Sequence, residues 1–334
     1  MKKGGSKYQH VLTSTPRRRF VRDLGFCAGA AAGFVALGLL SYSREPVRRP
    51  EELVRQLKDY RVEPSAVRPD MVVVSGTRVE AMVQEAVHRL GGIGRFVHKG
   101  EHVLLKPNVG WDRQPAQAAN TNPEVVAAVA GLCREAGAGA VWVSDVSLND
   151  PERCFARSGI RAGAERAGAE VLLPRGDDFV KTDLQGELLK VWPVSRFFHQ
   201  ADRVINLPVV KHHSLCGCTL AMKNWYGVLG GQRNQLHQRI HTSIVDLAAA
   251  LRPTLTIMDA TRVLKHNGPT GGSLDDVSVE NTLIAGMDEV ALDAYSLRFL
   301  DLTPAQVPFL DLGEQRGLGK VDWRTLKVVE TQVG

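Results

Sequence analysis

The sequence lacks the short motifs that identify the common cofactor-binding folds. Its 334 residues contain no GxGxxG that opens a helix after the first predicted strand, and no GxxxxGK[ST]. A standard dinucleotide fold or P-loop fold is therefore not indicated. A CxxCxxC run is also missing, so no single segment supplies the ligands of a ferredoxin-type cluster.

An excess of basic charge is absent from most of the chain. The whole sequence has a formal charge of +6, but residues 1–43 hold seven Lys/Arg and one Asp, so the remainder is formally neutral. The basic isoelectric point therefore belongs to the leader, and nucleic acid is not predicted as a partner.

The leader resembles a twin-arginine export signal. Residues 15–22 read TPRRRFVR, with paired arginines, a spacer, a Phe and an aliphatic residue. Residues 25–40 are apolar and rich in Ala and Gly, and they are fewer than the roughly 20 residues that a spanning helix prefers. Two interpretations stay open: a signal cleaved after Ser43, or an uncleaved anchor that associates with the membrane through residues 25–40. The leader predicts the twin-arginine export machinery as a partner, and a protein that is periplasmic or anchored facing outward.

Three regions are predicted along the chain: the leader over 1–43, a linker rich in Pro, Arg and Glu over 44–70, and a single α/β domain over 71–334. Apolar runs typical of buried strands alternate with amphipathic stretches typical of helices, which predicts a mostly parallel sheet flanked by helices. The predicted strands are Met71–Val74, His102–Leu105, Ala140–Val143, Glu170–Leu173, Val204–Ile205, Thr254–Met258 and Thr282–Ile284. The predicted helices are Arg78–Leu90, Asn122–Ala136, Glu152–Ala167, a stretch that ends at Leu251, and Val290–Leu300.

Polar side chains follow four of the predicted strands. Lys106 and Asn108 follow one strand, Asp145 and Asp259 follow two others, and Asn206 leads into the segment Lys211–Gly231, KHHSLCGCTLAMKNWYGVLGG. Because ligands bind outside the carboxyl ends of parallel strands, these ends predict a shared site.

The charge of these residues favours a small anionic ligand. Lys106, Lys211 and Lys223 are expected to hold negative charge, with Asn108 and Asn224 beside them. Gly268 and Gly271 lie in the loop NGPTGG, which is interpreted as an anion-binding nest of free backbone N–H groups, as a flexible lid or as a plain turn. Phosphate and carboxylate are not distinguished.

Acid/base or metal chemistry is a further hypothesis for this site. His213 is the candidate acid or base. Asp145 and Asp259 are interpreted as caps of the following helices, as general bases or groups that orient the site, or, with His213, as ligands of a metal ion. Cys216 and Cys218 are interpreted as small residues in a turn, as a redox dithiol favoured as thiolate by positive neighbours, or as ligands of a metal ion or iron–sulfur cluster. His237 and His241, four residues apart, are interpreted as a metal clip or as a solvated helix face.

The order of these motifs resembles the family called domain of unknown function 362. The resemblance covers most of residues 71–300 and rests on the matching segments Lys106-Pro107-Asn108, Asn122-Pro123, Ser144-Asp145, Asn206-Leu207-Pro208, Lys211-x-His213, Thr219 to Asn224, Asp246-Leu247, Asp259-Ala260 and Gly268-Pro269. It implies the α/β fold but no established reaction. Similar members often carry twin-arginine leaders. Cys216 and Cys218 depart from the small or hydroxyl residues usual in the family, so the resemblance favours the lysines, asparagines, aspartates and His213 as the site.

Two hypotheses follow. The first is an exported α/β enzyme or cofactor protein that binds an anionic ligand. Whether it also binds a metal ion or a redox cofactor is left open by the sequence. The second is a non-catalytic binding or assembly protein tethered to a membrane by its N-terminal helix.

The mature N-terminus discriminates between the two interpretations of the leader. A cleaved signal predicts a protein that begins at Arg44, and an anchor predicts one that retains residues 1–43. Mass spectrometry of the intact protein from the membrane and soluble fractions measures this directly.

Overall fold

A computed structural model describes residues 20–21, 24–30, 32–34 and 53–334. Most of the expected leader lies outside the described residues. Those described within 20–34 are helical and solvent-exposed. No helix among the described residues combines the length and apolarity needed to cross a membrane.

The remaining residues, from Leu53 to Gly334, form one compact unit. Its strands are β1 Arg55–Gln56, β2 Met71–Ser75, β3 His102–Pro107, β4 Ala140–Val143, β5 Glu170–Val171, β6 Phe179–Asp183, β7 Val191–Ser195, β8 Arg203–Leu207, β9 Val209–His213, β10 Gly217–Thr219, β11 Leu255–Leu264, β12 Val277–Gly286 and β13 Val328–Gln332. Its α-helices are α1 Val79–Arg89, α2 Pro123–Glu135, α3 Pro151–Arg157, α4 Ile160–Arg166, α5 Arg196–Gln200, α6 Ala221–Asn224, α7 Ile240–Ala250, α8 Glu289–Ser296 and α9 Pro308–Gln315.

The main sheet is mostly parallel, as the sequence predicts. Its strand order is β13-β2-β12-β11-β8-β3-β4-β5, and only β12 on this path runs antiparallel to its neighbours. A second sheet contains β1, β6 and β7. The alternation of side chains along β2 puts Val72 and Val74 in one core and Met71 and Val73 in the other, so both faces of the main sheet are covered.

Strand β8 ends at Leu207, and the break at Pro208 positions the site. Proline has no N–H to donate to the ladder, so the chain bends there and continues as β9, which forms a hairpin with β10. The first half of the long strand β11 pairs with β8 and the second half with β9. The hairpin therefore extends beyond the carboxyl end of the main sheet.

Several elements differ from the sequence prediction. The predicted helix over 152–167 is divided into α3 and α4, because Gly159 adopts a left-handed backbone (φ 75°) between them. The compact unit begins at Leu53 and not at residue 71: Tyr60, in the expected linker, is fully buried, and its hydroxyl donates to the Phe198 carbonyl at 2.6 Å. A single buried tyrosine produces no periodic pattern in the sequence. The polar residues around Tyr60 therefore gave no sign that it packs in the core.

Candidate functional site

A cavity of about 250 Å³ opens at the carboxyl ends of β3 and β4. Its lining combines three sources: the ends of these strands, the β9–β10 hairpin, and the chain from α6 to residue 237. Most of the predicted site residues contribute, namely Lys106, Asn108, Asp145, Lys211, His213, Lys223 and Asn224. The structure therefore brings these residues together in one cavity, as the sequence predicts.

Lys106 and Asp145 form a buried ion pair at the floor of the cavity. Their side chains are 0% and 3% exposed, and Lys106 Nζ lies 2.6 Å from Asp145 Oδ1. The same ammonium also donates to the Pro107 carbonyl at 2.7 Å and to Asn224 Oδ1 at 3.1 Å. All three of its donors are thus engaged, so Lys106 shapes the floor instead of holding the ligand as expected.

Asn224 and Asn108 connect this pair to the next lysine. Asn224 Oδ1 accepts from Asn108 Nδ2 at 2.9 Å, and Asn108 Oδ1 accepts from Lys211 Nζ at 2.9 Å. The amide nitrogen of Asn224 donates to Asn206 Oδ1 at 2.7 Å. The two predicted asparagines therefore orient the cations, because their polar atoms are bonded to protein groups.

Lys211 and Lys223 are the cations with donors available to a ligand. Lys211 Nζ also donates to the Ala119 carbonyl at 2.5 Å, which leaves one donor. Lys223 Nζ lies 3.6 Å from the centre of the Tyr226 ring and has no hydrogen-bond or carboxylate partner among the described residues. Burial lowers the pKa of Lys211 to about 7 and that of Lys223 to about 8.

His213 is built as a hydrogen-bond donor and not as the expected acid or base. Its Nδ1 accepts from the Leu215 backbone N–H at 3.2 Å, so the proton of the neutral ring resides on Nε2. Burial first, and then the charge of Lys223, lowers the pKa of His213 to about 3. The imidazole is therefore neutral at physiological pH and presents an N–H.

His237 has the opposite tautomer. Its Nδ1 lies 3.0 Å from the Asn234 carbonyl, which only accepts, so Nε2 carries a lone pair. The His213 and His237 rings stack with their centres 6.3 Å apart. His241 lies in α7 against the Phe309 ring, whereas His237 stacks on His213.

The sequence analysis missed Arg233, a fourth cation of the cavity wall. Its guanidinium donates to the Tyr226 carbonyl at 3.0 Å and to the Ser147 carbonyl at 2.9 Å, which leaves other N–H groups for a ligand. Arg233 begins an irregular 3₁₀ segment, Arg233–Arg239, whose sequence has no periodic signal. Thr219 was also missed as a lining residue, although its pairing opposite Lys211 in the hairpin places it there.

Asp259 and the glycine loop have other roles than those expected. Asp259 lies inside β11, which continues to Leu264, and its oxygens accept from the Asn122 N–H and from the Thr261 N–H and hydroxyl. It is not part of the cavity lining, so it does not join Asp145 there. The N–H of Gly268 donates to His212 Nδ1 and that of Gly271 to the Asn267 carbonyl, so these two groups are not free for an anion.

The two cysteines of the hairpin are buried thiols. Burial raises the pKa of Cys216 to about 11 and holds that of Cys218 well above its ordinary value. The thiolate that positive neighbours were expected to favour is therefore disfavoured, because loss of hydration outweighs them. Across the part of the chain that the structure describes, no group of three or more His, Cys, Asp or Glu side chains could hold a metal ion.

This fold and cavity define an α/β protein with a pocket lined by three lysines and an arginine at the carboxyl edge of its parallel strands. A family model described as "Domain of unknown function (DUF362)" matches residues 103–298. The chain belongs to this family, as the order of its motifs indicated.

Proteins similar to the chain include a relative from Synechocystis and two solved structures. A thylakoid-associated protein of Synechocystis sp. is 30% identical over 246 residues, which cover 71% of this chain and 75% of the relative. The lactate racemase apoprotein of Thermoanaerobacterium thermosaccharolyticum has 12% identity and a TM-score of 0.39 over 74% of this chain and 59% of that chain. A Thermotoga maritima protein has 12% identity and a TM-score of 0.36 over 71% and 58%. This chain thus spans about three fifths of each solved chain.

The backbone at Gly227 is expected to tolerate no side chain. A Cβ there would lie 1.8 Å from Asp145 Oδ1 and 2.6 Å from Lys106 Nζ, so Gly227→Ala would displace the buried pair. We expect a loss of about 3 kcal/mol or more in the free energy of unfolding, measured by urea denaturation. Gly131→Ala, inside α2 with no atom within 4 Å of the new Cβ, is the control and should cost nothing or stabilise by about 0.4–1 kcal/mol. Equal stability of the two variants would contradict the tight packing.

The stability of the ligand-free protein is expected to increase as pH rises from about 7 toward 10. Folding lowers the pKa of Lys211 to about 7 and that of Lys223 to about 8, so within this window the unfolded chain binds more protons than the folded one. The cost of burying the two charges is complete below these values and is relieved above them. Denaturation across this pH range tests the slope, which should flatten in a Lys211→Met, Lys223→Met double variant. A slope unchanged in that variant would contradict the assignment.

Proposed function

We propose that this protein binds a small anionic ligand in the cavity, held by Lys211, Lys223 and Arg233. The observation that carries the proposal is an imbalance of charge: these three cations and Lys106 line the cavity, and Asp145 is its one lining carboxylate among the described residues. Asp145 is already committed to Lys106. A buried cation without a counter-ion is costly, and a bound anion would relieve that cost.

The remaining lining favours an organic anion of modest size. His213 presents an Nε2–H and Thr219 a hydroxyl, both suited to neutral or charged oxygen atoms. Trp111, Val146 and Tyr226 add apolar surface to the same cavity. A carboxylate or phosphate on a short carbon skeleton would satisfy both kinds of surface.

For localisation, we propose export by the twin-arginine machinery and association with a membrane through residues 25–40. The motif at residues 15–22 supports the route, and the thylakoid association of the Synechocystis relative supports a membrane setting. Replacing Arg17 and Arg18 together with lysine tests the route: cell fractionation should then find the protein in the cytoplasm. Unchanged export of that variant would contradict it.

Anion binding is expected to be coupled to proton uptake. Titration calorimetry with inorganic phosphate and with glycolate should show affinity that falls above about pH 8, by up to about tenfold per pH unit for each lysine that must be charged. Lys211→Met and Lys223→Met should each weaken binding by about 10-fold to 150-fold, the value of a charged hydrogen bond.

Lys320→Met is the matched control, because Lys320 is exposed and outside the cavity. It should leave the affinity unchanged. Binding that is equally strong in Lys320→Met and Lys211→Met would refute the proposed site, as would the absence of binding for both anions.

A further inference from the structure

The amine of Lys223 differs from the other cations of the cavity in having no polar partner. Lys106 has three acceptors and Lys211 has two, whereas the Nζ of Lys223 contacts only the face of Tyr226 among the described residues. The Lys223 residue is 6% exposed, and it lines the cavity beside Lys211 and His213. A cation that binds a ligand is normally also fixed by acceptors on the protein, as Lys211 is here. An unfixed amine that faces a cavity is instead free to approach a ligand atom.

The position of Lys223 along the chain is nevertheless rigid. The short helix α6 is capped by Asp293, whose carboxylate oxygens accept from the Ala221 N–H at 2.7 Å and the Met222 N–H at 3.1 Å. The adjacent Asn224 is bonded to Lys106 and Asn206. The backbone of Lys223 is thus fixed by the contacts of its neighbours on both sides, while its amine makes no hydrogen bond among the described residues. A nucleophile needs this combination of a fixed backbone and a free reactive atom.

We propose that Lys223 is a nucleophile that forms a Schiff base with the carbonyl group of a small anionic aldehyde or 2-oxo acid. This inference rests on the proposed function, since Arg233 and Lys211 would hold the anionic group of that ligand. A lysine becomes nucleophilic when it is desolvated and lies beside other cations. Both conditions hold at Lys223, and they account for its lowered pKa of about 8.

The step balances with groups that line the cavity. The neutral Lys223 amine attacks the carbonyl carbon, and transfer of a proton from nitrogen to oxygen gives a carbinolamine. Lys211, with a pKa of about 7, supplies one proton to the departing hydroxyl, which leaves as water. The product is a protonated imine. The Nε2–H of His213 is suited to polarise the carbonyl, and the Tyr226 face is suited to stabilise the imine cation.

Reductive trapping tests this chemistry on the intact protein. Glyoxylate with sodium cyanoborohydride reduces any imine to a stable secondary amine, and peptide mapping by mass spectrometry locates it. We expect Lys223 to be labelled at least ten times faster than the exposed Lys99 and Lys320, and glycolate, which lacks the carbonyl, to slow the labelling. The rate should pass through a maximum between pH 7 and pH 8, because the Lys223 amine (pKa about 8) must lose its proton while Lys211 (pKa about 7) must keep one to donate.

Two variants separate this inference from anion binding. Lys223→Arg keeps a cation but removes the nucleophile, so it should still bind glycolate while losing the fast label. Lys320→Arg, at an exposed lysine outside the cavity, should keep the label on Lys223. Glycolate binding with no preferential label at Lys223, or an undiminished fast label in Lys223→Arg, would overturn the Schiff base and leave the proposed function standing. Failure of glycolate and phosphate to bind the native protein would overturn the proposed function itself.

Discussion

The buried pair of Lys106 and Asp145 is the interaction on which the rest of the site depends. It joins the ends of two neighbouring parallel strands, and its oxygens and donors also fix the Val109 N–H, the Pro107 carbonyl and Asn224. Removing one member of such a pair leaves an uncompensated buried charge, which costs about 3–5 kcal/mol. The close approach of Gly227 shows that the backbone is fitted to the pair as tightly as the side chains are. The cavity floor is thus set before any ligand enters.

Above this floor, the protein holds positive charge without compensating it. Lys211 and Lys223 are paired with neutral groups, an amide and carbonyl in one case and an aromatic ring in the other. Burying these two charges without a counter-ion costs free energy, and this cost lowers the pKa values of both lysines. A bound anion would offset the cost. The stability that the ligand-free fold forgoes is therefore available as binding free energy. This is the same opposition between stability and function that active sites commonly show.

The sequence predicted the parallel strands and the meeting of Lys106 with Asp145, because strand periodicity and the direction of parallel strands determine which ends converge. The prediction was wrong where contacts between residues distant in sequence determine the structure. Asp259 was placed at a strand end, but pairing with β9 and β12 extends β11 through it. Arg233 belongs to a segment without periodicity, so nothing local marked it. The charge states of Cys216 and His213 depend on burial, which residue spacing does not reveal.

The hydrogen bonds of the floor continue beyond it, from Asn224 through Asn206 to Glu289, whose carboxylate also accepts from Thr256 and Trp225. A polar path thus runs from the cavity through Asn206 of β8 to α8. Members of such a path cannot be exchanged independently, since each replacement orphans a neighbour. Leu148 and Asn234, which line the rim of the cavity, make no side-chain hydrogen bonds of this kind among the described residues. A single substitution at the rim therefore disturbs fewer hydrogen bonds than one at the floor.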